Sequence, residues 1–217
     1  MVKHIGIVGC SAEGAALCYR TICLEGARLL GAHAHPEISM HTPPLSDYVA
    51  CLERGDMEGV GRIMLDSADK LTQAGADFLI CPDNTIHKAF EFAASRSALS
   101  WLHIADVVAG EAKSRGFERA VILGTKWLME SDVYPDKLAA AGLEWQLPTE
   151  PERDELNRII MDELVSGELK AEALAFFQAV IRRRKQAGCD VAILGCTEIP
   201  LLIDDGNAPL PTLDSTR

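Results

Sequence analysis

The chain has 217 residues, of which 48% are hydrophobic and 24% are charged, enough apolar material for one large domain or two small ones. Its formal net charge is −11, which argues against nucleic acid or an anionic membrane surface as a partner, because both attract basic proteins. The negative charge does not exclude a small acidic ligand, since a pocket can be locally positive inside a negative protein.

The N-terminus, MVKHIGIVGC, predicts a first strand and lacks the long apolar core and cleavage site of a signal peptide. No apolar run approaches membrane-spanning length. The seven cysteines are an odd number without a CxxC pair, which argues against a disulfide framework or a zinc ribbon. We therefore expect reduced thiols in a cytoplasmic protein.

Short runs rich in Val, Ile and Leu alternate with segments of helical periodicity. In chain order, the predicted strands are residues 4–9, 37–41, 76–82, 100–104, 119–125, 143–148 and 189–196. The clearest predicted helices are residues 15–30, 57–74, 107–115 and 168–187. Most of the strands lack alternation, which is typical of parallel sheets covered by helices on both faces. The pattern predicts an α/β fold, whose ligands bind beyond the carboxyl ends of the strands.

An internal repeat relates the two halves of the chain. AGADFLICPDNTIH (74–87) aligns with AGCDVAILGCTEIP (187–200), 113 positions later. HIGIVGC (4–10) aligns with RAVILGT (119–125), 115 positions later. Because both pairs occur in the same order at nearly the same offset, the sequence indicates a duplicated α/β unit.

The repeat predicts two similar lobes, each with a mainly parallel sheet flanked by helices, related by a pseudo-two-fold axis. The first lobe comprises residues 1–98 and 206–217, and the second comprises residues 99–205. Asp83 and Cys196 occupy equivalent positions, each just past the carboxyl end of a strand. We expect them to face each other in a cleft between the lobes, one on each side of a planar intermediate.

Cys196 lies in the string LGCTEIPLL, between a predicted strand and a predicted helix. The positive N-terminus of a helix lowers the pKa of a nearby thiol, which favours an acid/base role. Thr197 is expected to cap the helix or donate a hydrogen bond, and Glu198 to take or hold a proton. The alternative interpretation is a buried structural thiol at a strand end.

Asp83 lies in the string CPDNTIH and is followed by two polar residues, Asn84 and Thr85. Together with the free N–H groups of a helix start, such a cluster can bind a carboxylate. The same three residues also suit a helix N-cap without any ligand. Both interpretations stay open at this point.

Further polar groups are candidates for the same site. Thr125 and Lys126 lie at the end of the predicted strand 119–125 and could bind a carboxylate or stabilise an enolate-like anion. The alternative interpretation of Lys126 is a solvated loop lysine. Ser11 lies in GIVGCSAEG, which lacks the glycine order and the lysine of nucleotide-binding loops but could line the cleft. His33 and His35 have no acidic or cysteine ligand at a helpful spacing, so we expect no metal.

These motifs resemble the paired signatures of the aspartate/glutamate racemase family. The resemblance covers most of the chain, since GTKWLMESDVY and LPTLDST are also similar to family segments. Glu198 follows Cys-Thr as in the aspartate racemase branch, whereas a His is usual in the glutamate branch. The family implies a two-lobed homodimer that racemises aspartate or glutamate with two cysteines and no cofactor. It also implies that Asn84 and Thr85 bind the substrate carboxylate. By the same resemblance, Cys196 matches the second catalytic cysteine, and Thr197 matches a neighbour of that thiol.

Asp83 departs from the family pattern, because the family has its first catalytic cysteine at this position. A carboxyl group is far more acidic than a thiol, and its carboxylate is a weak base that repels an anionic substrate. Three outcomes are open: an impaired or one-sided racemase, a single-cysteine lyase or isomerase of decarboxylase or maleate-isomerase type, and a non-catalytic protein that binds acidic amino acids. Cys81 is no substitute, since the repeat aligns it with Leu194. The family also implies a closing helix after LPTLD.

Overall fold

The structure, a computed structural model, describes residues 2–217. Residue contacts divide the chain into two compact units. Unit 1 comprises the chain up to Ile104 together with Thr216–Arg217, and unit 2 comprises Ala105–Ser215. Within residues 2–217, no helix is both long and apolar enough to cross a membrane.

Unit 1 contains a four-stranded parallel sheet with the strand order β2-β1-β3-β4. Its strands are β1 Ile5–Val8, β2 Ile38–His41, β3 Phe78–Ile80 and β4 Trp101–Leu102. Its helices are α1 Ala12–Leu30, α2 Leu45–Glu53, α3 Met57–Gln73 and α4 Phe90–Ala94, with a 3-10 helix at Thr85–Ala89. The next helix, α5 Ile104–Ser114, begins at the last residue of unit 1 before the chain enters unit 2.

Helix α3 shows why this part of the sequence folds as it does. Val60, Met64, Ala68 and Leu71 recur at helical spacing and are at most 2% exposed, so one face of the helix is buried. The helix begins at Asp56, whose side chain accepts a hydrogen bond from the N–H of Gly59 at 2.7 Å. The buried face and the cap together fix the start and the orientation of α3 in unit 1.

Unit 2 contains a second four-stranded parallel sheet, with the order β6-β5-β7-β8. Its strands are β5 Arg119–Gly124, β6 Glu144–Gln146, β7 Val191–Gly195 and β8 Thr212–Asp214. Its remaining helices are α6 Lys126–Met129, α7 Pro135–Ala141, α8 Glu150–Asp162, α9 Ala171–Gln186 and α10 Ile199–Leu202, with a 3-10 helix at Leu164–Ser166. The core between α8, α9 and the sheet includes Leu156, Ile160, Phe177, Val180 and Ile181.

The two sheets share one topology, because each strand of unit 1 has a counterpart in the same place in unit 2. The predicted α/β fold with two similar lobes, each a parallel sheet flanked by helices, is confirmed. Both units also hold the start of their first strand in the same way. Asp77 accepts a hydrogen bond from the N–H of His4 at 2.7 Å, and Asp190 accepts from Glu118 at 2.8 Å and Arg119 at 3.0 Å.

The units differ from the predicted lobes at both seams. β4 pairs with β3 through Leu79 and Trp101, so residues 99–104 lie with the first sheet rather than with the second lobe. β8 pairs with β7 through Ile193 and Leu213, so residues 206–215 lie with the second sheet rather than with the first lobe. Main-chain pairing decides which sheet each of these strands joins. A hydrophobic run in the sequence predicts a strand but does not predict which strand it pairs with.

Candidate functional site

The first group of candidate residues follows the carboxyl ends of β1 and β3. These strands are parallel neighbours, with Ile7 paired to Ile80, so the segments that follow them leave the sheet at the same edge. After β1, Ser11 is 8% exposed and caps α1, its hydroxyl oxygen accepting a hydrogen bond from the N–H of Gly14 at 3.2 Å. Ser11 is thus a helix cap at the edge where ligands of parallel sheets bind.

Asp83 follows β3 and opens the 3-10 helix. Its Oδ1 accepts a hydrogen bond from the N–H of Ile86 at 3.1 Å, and its carbonyl oxygen lies 2.6 Å from Nδ1 of His87. Asn84 and Thr85, the next two residues, are 2% and 8% exposed. One carboxylate oxygen of Asp83 therefore acts as a helix cap, as one of the two interpretations predicts. The two polar residues that follow it are buried.

His87 is a site residue that the sequence analysis did not single out. It is 3% exposed, and its Nε2 accepts a hydrogen bond from the N–H of Ile104 at 3.2 Å. Because that nitrogen is an acceptor, Nδ1 carries the ring proton and donates it to the carbonyl of Asp83. Burial, followed by the nearby His103, lowers the pKa of His87 to about 3, although the bond to Asp83 works in the opposite direction. His87 is therefore neutral at physiological pH.

Two further ionisable groups near Asp83 are also held in their neutral forms. Burial, with a contribution from the charge of Asp83, raises the pKa of Cys81 well above that of a free thiol. Burial likewise raises the pKa of Tyr48, followed by the effects of Cys81, Cys10 and Asp83. At neutral pH Cys81 is therefore a thiol and not a reactive thiolate.

Cys196 follows β7 in unit 2 and is 7% exposed. Its Sγ donates a hydrogen bond to Oε2 of Glu198 at 3.0 Å, and Oγ1 of Thr197 donates to the same oxygen at 2.7 Å. Thr197 and Glu198 are 3% and 4% exposed. The thiol proton of Cys196 thus has a buried carboxylate acceptor within hydrogen-bonding reach.

The helix after Cys196 differs from the predicted one. α10 begins only at Ile199 and contains four residues, so it offers little of the dipole expected to act on the thiol. Glu198, rather than a helix N-terminus, is the group that the structure places against the sulfur of Cys196.

Thr125 and Lys126 follow β5 at the start of α6. Thr125 is 7% exposed, and its Oγ1 accepts a hydrogen bond from the N–H of Leu128 at 3.2 Å. The Nζ of Lys126 lies 2.6 Å from Oδ1 of Asp154, and this hydrogen bond is the main reason why the pKa of Lys126 is raised. The side chain of Lys126 is 40% exposed and is paired with Asp154 of α8, which favours the interpretation as a surface lysine.

All the predicted site residues lie at the carboxyl edge of the sheet of their own unit, where parallel sheets bind ligands. In unit 1 they are Ser11, Asp83, Asn84 and Thr85, and in unit 2 they are Thr125, Lys126, Cys196, Thr197 and Glu198. The expectation that Asp83 and Cys196 face each other stays a prediction.

Two histidines of residues 33–41, His35 and His41, have hydrogen-bond partners within the protein. Nδ1 of His41 lies 2.9 Å from Oγ of Ser67, and Nδ1 of His35 lies 2.8 Å from the carbonyl oxygen of Pro36. Across the described part of the chain, no group of three or more His, Cys, Asp or Glu side chains is placed to hold a metal ion.

Comparisons with known proteins agree with these motifs. A sequence profile of the Asp/Glu/hydantoin racemase family matches residues 7–217. The broad specificity amino-acid racemase RacX of Bacillus subtilis is 25% identical over 167 residues, covering 74% of this chain and 69% of that protein. The crystal structure of an aspartate racemase homologue from Pyrococcus horikoshii has a TM-score of 0.82 and 32% identity, covering 99% of this chain and 94% of that chain. A glutamate racemase from Aquifex pyrophilus shares the fold, with a TM-score of 0.66 at 21% identity and coverage of 98% of this chain and 79% of that chain.

Proposed function

Because the chain belongs to the Asp/Glu/hydantoin racemase family, we propose that it is a cofactor-independent racemase that moves the α-proton of aspartate or glutamate. One observation carries the proposal: the buried Cys196 thiol, in the family motif LGCTEIPLL, donates a hydrogen bond to the carboxylate of Glu198. The proposal includes a homodimer, which the family resemblance implies, and a cytoplasmic location, in keeping with seven free cysteines.

Cys196 is the acid/base group for one face of the substrate. Its proton passes to Oε2 of Glu198, 3.0 Å away, and the resulting thiolate removes the hydrogen from the substrate α-carbon. The electron pair of that C–H bond stays on the substrate as a planar carbanion conjugated with its carboxylate. In the reverse sense, the thiol of Cys196 returns a proton to the α-carbon.

Asp83 is the opposing group for the other face. As a carboxylic acid it donates a proton to the carbanion, and as a carboxylate it removes the α-proton weakly. Because two enantiomers have equal free energies, kcat/KM is the same in both directions at equilibrium. The asymmetry of a carboxyl group opposite a thiol therefore appears in kcat and KM taken separately.

The substrate carboxylate needs donors that are already oriented when charge builds up on it. Asn84 and Thr85 in unit 1 and Thr125 and Thr197 in unit 2 are buried polar residues beside the proposed acid/base groups. We assign this role to Asn84, Thr85 and Thr125, with Ser11 at the end of β1 as a further contact, whereas the hydroxyl proton of Thr197 is used by Glu198.

The test is incubation of each enantiomer of aspartate and glutamate in deuterated water, followed by NMR and chiral chromatography. Cys196→Ala is expected to abolish deuterium entry at Cα, whereas Cys189→Ala, which removes another buried thiol of unit 2, is expected to leave it unchanged. Asp83→Cys is expected to bring the kcat values of the two enantiomers together. Unchanged deuterium entry in Cys196→Ala would refute the proposal.

A second candidate function, a single-cysteine lyase or isomerase, is favoured by the cap geometry of Asp83, whose Oδ1 is engaged by Ile86. Products formed from substituted malonates and from maleate distinguish this activity from racemisation. An amino acid that binds but never exchanges its α-hydrogen would instead indicate a non-catalytic binding protein.

A further inference from the structure

We propose that His87 is a positioning residue that holds Asp83 in place by joining its main chain to the start of α5. The proposal rests on the catalytic role proposed for Asp83. His87 bonds to the carbonyl oxygen of Asp83, so it acts through the main-chain conformation of residue 83.

Both ring nitrogens of His87 are used, and their roles are determined by their partners. The N–H of Ile104 can only donate, so Nε2 at 3.2 Å is an acceptor. Nδ1 therefore carries the proton and donates it to the carbonyl of Asp83 at 2.6 Å. The ring is thus a bridge between two main-chain segments, the one that follows β3 and the one that opens α5.

The surroundings of His87 keep the bridge rigid. Its ring stacks on Phe90 with a centroid distance of 5.4 Å, and His103 lies edge-on at 4.9 Å. With 3% exposure and a pKa lowered to about 3, the ring stays neutral and keeps its tautomer throughout the range of ordinary assays. The groups facing it that can titrate or carry charge are His103 and Asp83.

Asp83 is held through both its main chain and its carboxylate, and the thiol of Cys81 also approaches its carbonyl oxygen, at 3.9 Å. His87 holds its carbonyl, and the N–H of Ile86 holds Oδ1 of its carboxylate. The direction of the carboxylate follows from the main chain of residue 83, and misplacement of a catalytic group by about 1 Å can cost about 100-fold in rate. Fixing the main chain is therefore a means of fixing the acid/base group.

The bridge is specific to unit 1. In the repeat, His87 aligns with Pro200, which has neither a side-chain donor nor a main-chain N–H. Unit 2 holds its candidate group through a side-chain bond between Cys196 and Glu198 instead. The difference indicates that His87 is needed to position Asp83 and is not a requirement of the repeated fold.

Two matched variants separate positioning from general structural support. His87→Asn keeps an amide N–H near the place of Nδ1, whereas His87→Gln keeps an amide group near the place of Nε2. If the bond to Asp83 matters, kcat should fall about 10- to 100-fold in His87→Gln and stay within about fivefold of wild type in His87→Asn. KM should change less than threefold in both variants, and thermal midpoints are measured alongside. Equal losses of kcat in the two variants, in proportion to their thermal midpoints, would overturn the proposal.

A double-mutant comparison tests whether His87 acts through the carboxylate of Asp83. In Asp83→Ala, adding His87→Gln should leave the residual deuterium entry at Cα unchanged. A further loss of about tenfold or more in the double variant would overturn the proposal. If wild type shows no exchange with either enantiomer of aspartate or glutamate, the proposed function itself has failed, and that result is distinct from equal losses in an active enzyme.

The geometry can also be tested in the wild-type protein, independently of whether any variant folds. Nitrogen-15 NMR of the histidine side chains should show His87 as the Nδ1–H tautomer, with an unprotonated Nε2. The opposite tautomer would remove the bond to Asp83 and overturn the proposal.

Discussion

Asp83 in unit 1 and Cys196 in unit 2 stand at equivalent positions of a duplicated sheet, but their neighbours hold them differently. Asp83 is held through its main chain by His87 and through Oδ1 by the N–H of Ile86. The thiol of Cys196 instead donates a hydrogen bond directly to a carboxylate, that of Glu198. The repeated strand order therefore sets the position of residues 83 and 196 in each unit, whereas the residues that follow them in the chain decide how each side chain is held.

The start of the first strand is held alike in the two units. Asp77 and Asp190 both bind the main chain that opens the first strand of their unit, and both donate their own N–H to a carbonyl there, that of His4 or Arg119. The amino edge of each sheet thus retains one structural device. At the carboxyl edge, the caps after β1 and β5 also match, whereas the residues after β3 and β7 differ.

The largest expected effect comes from removing the carboxylate beside Cys196. Glu198→Gln keeps the size of the side chain but cannot take the thiol proton, so kcat should fall by about 100-fold, within the range of general base catalysis. The measurement is deuterium entry at the α-carbon of aspartate and glutamate. Thr197→Val removes only the second donor to the same oxygen and should cost less than tenfold. Exchange at the wild-type rate in Glu198→Gln would show that the contact is structural.

The two units should also respond to acid in different pH ranges. In unit 1, the folded pKa of His87 lies near 3 while that of an unfolded histidine is about 6.5, so the unfolded chain binds the extra proton. The free energy of unfolding of unit 1 should therefore fall as the pH drops from about 6.5 towards 3, by about 1.4 kcal/mol per pH unit. His87→Asn should remove this slope.

In unit 2, burial would raise the pKa of Glu152, but hydrogen bonds from Thr149, Arg184 and Arg183 outweigh it and lower the pKa to about 2. The stabilisation is present above about pH 4.5 and is lost as the pH falls through about 2, so its range overlaps that of His87 between about pH 3 and 4.5 and extends further into acid. Glu152→Gln should remove it, whereas Glu155→Gln, in an exposed pair with Arg158, should change stability by less than about 1 kcal/mol.

Amide hydrogen exchange of β1 and β3 against β5 and β7, followed from about pH 7 to about pH 2, measures the two ranges separately. The control is the wild-type protein at the same ionic strength. If both units lose protection over the same pH range, the comparison between His87 and Glu152 is wrong.

The smallest expected effect concerns the strand starts. Asp190 accepts two main-chain hydrogen bonds and Asp77 accepts one, so Asp190→Asn should lower the free energy of unfolding by about 1–2 kcal/mol and Asp77→Asn by about 1 kcal/mol or less. Urea unfolding monitored by circular dichroism provides the values. A larger loss in Asp77→Asn would contradict the bond count as the cause.

Some features of the fold could be predicted from the sequence because they depend on local composition. The buried strands β1, β3, β5 and β7 are continuous apolar runs, and a parallel sheet covered by helices requires such runs. The helix α8 escaped prediction although Thr149 and Glu152 form a capping box, because its apolar residues are sparse among many charges. His87 was missed because a single histidine in a helix start carries no pattern of its own.

By itself, the sequence determined the repeat, the α/β class and the identity of the motifs around Asp83 and Cys196, since these follow from residue order and from near neighbours in the chain. Only the tertiary structure decided that β4 joins β3, that β8 joins β7, and that His87 reaches Ile104. The physical reason is that such contacts link segments far apart in the chain. Their partners are selected by main-chain hydrogen bonding and burial of the whole unit, and not by the residues beside them.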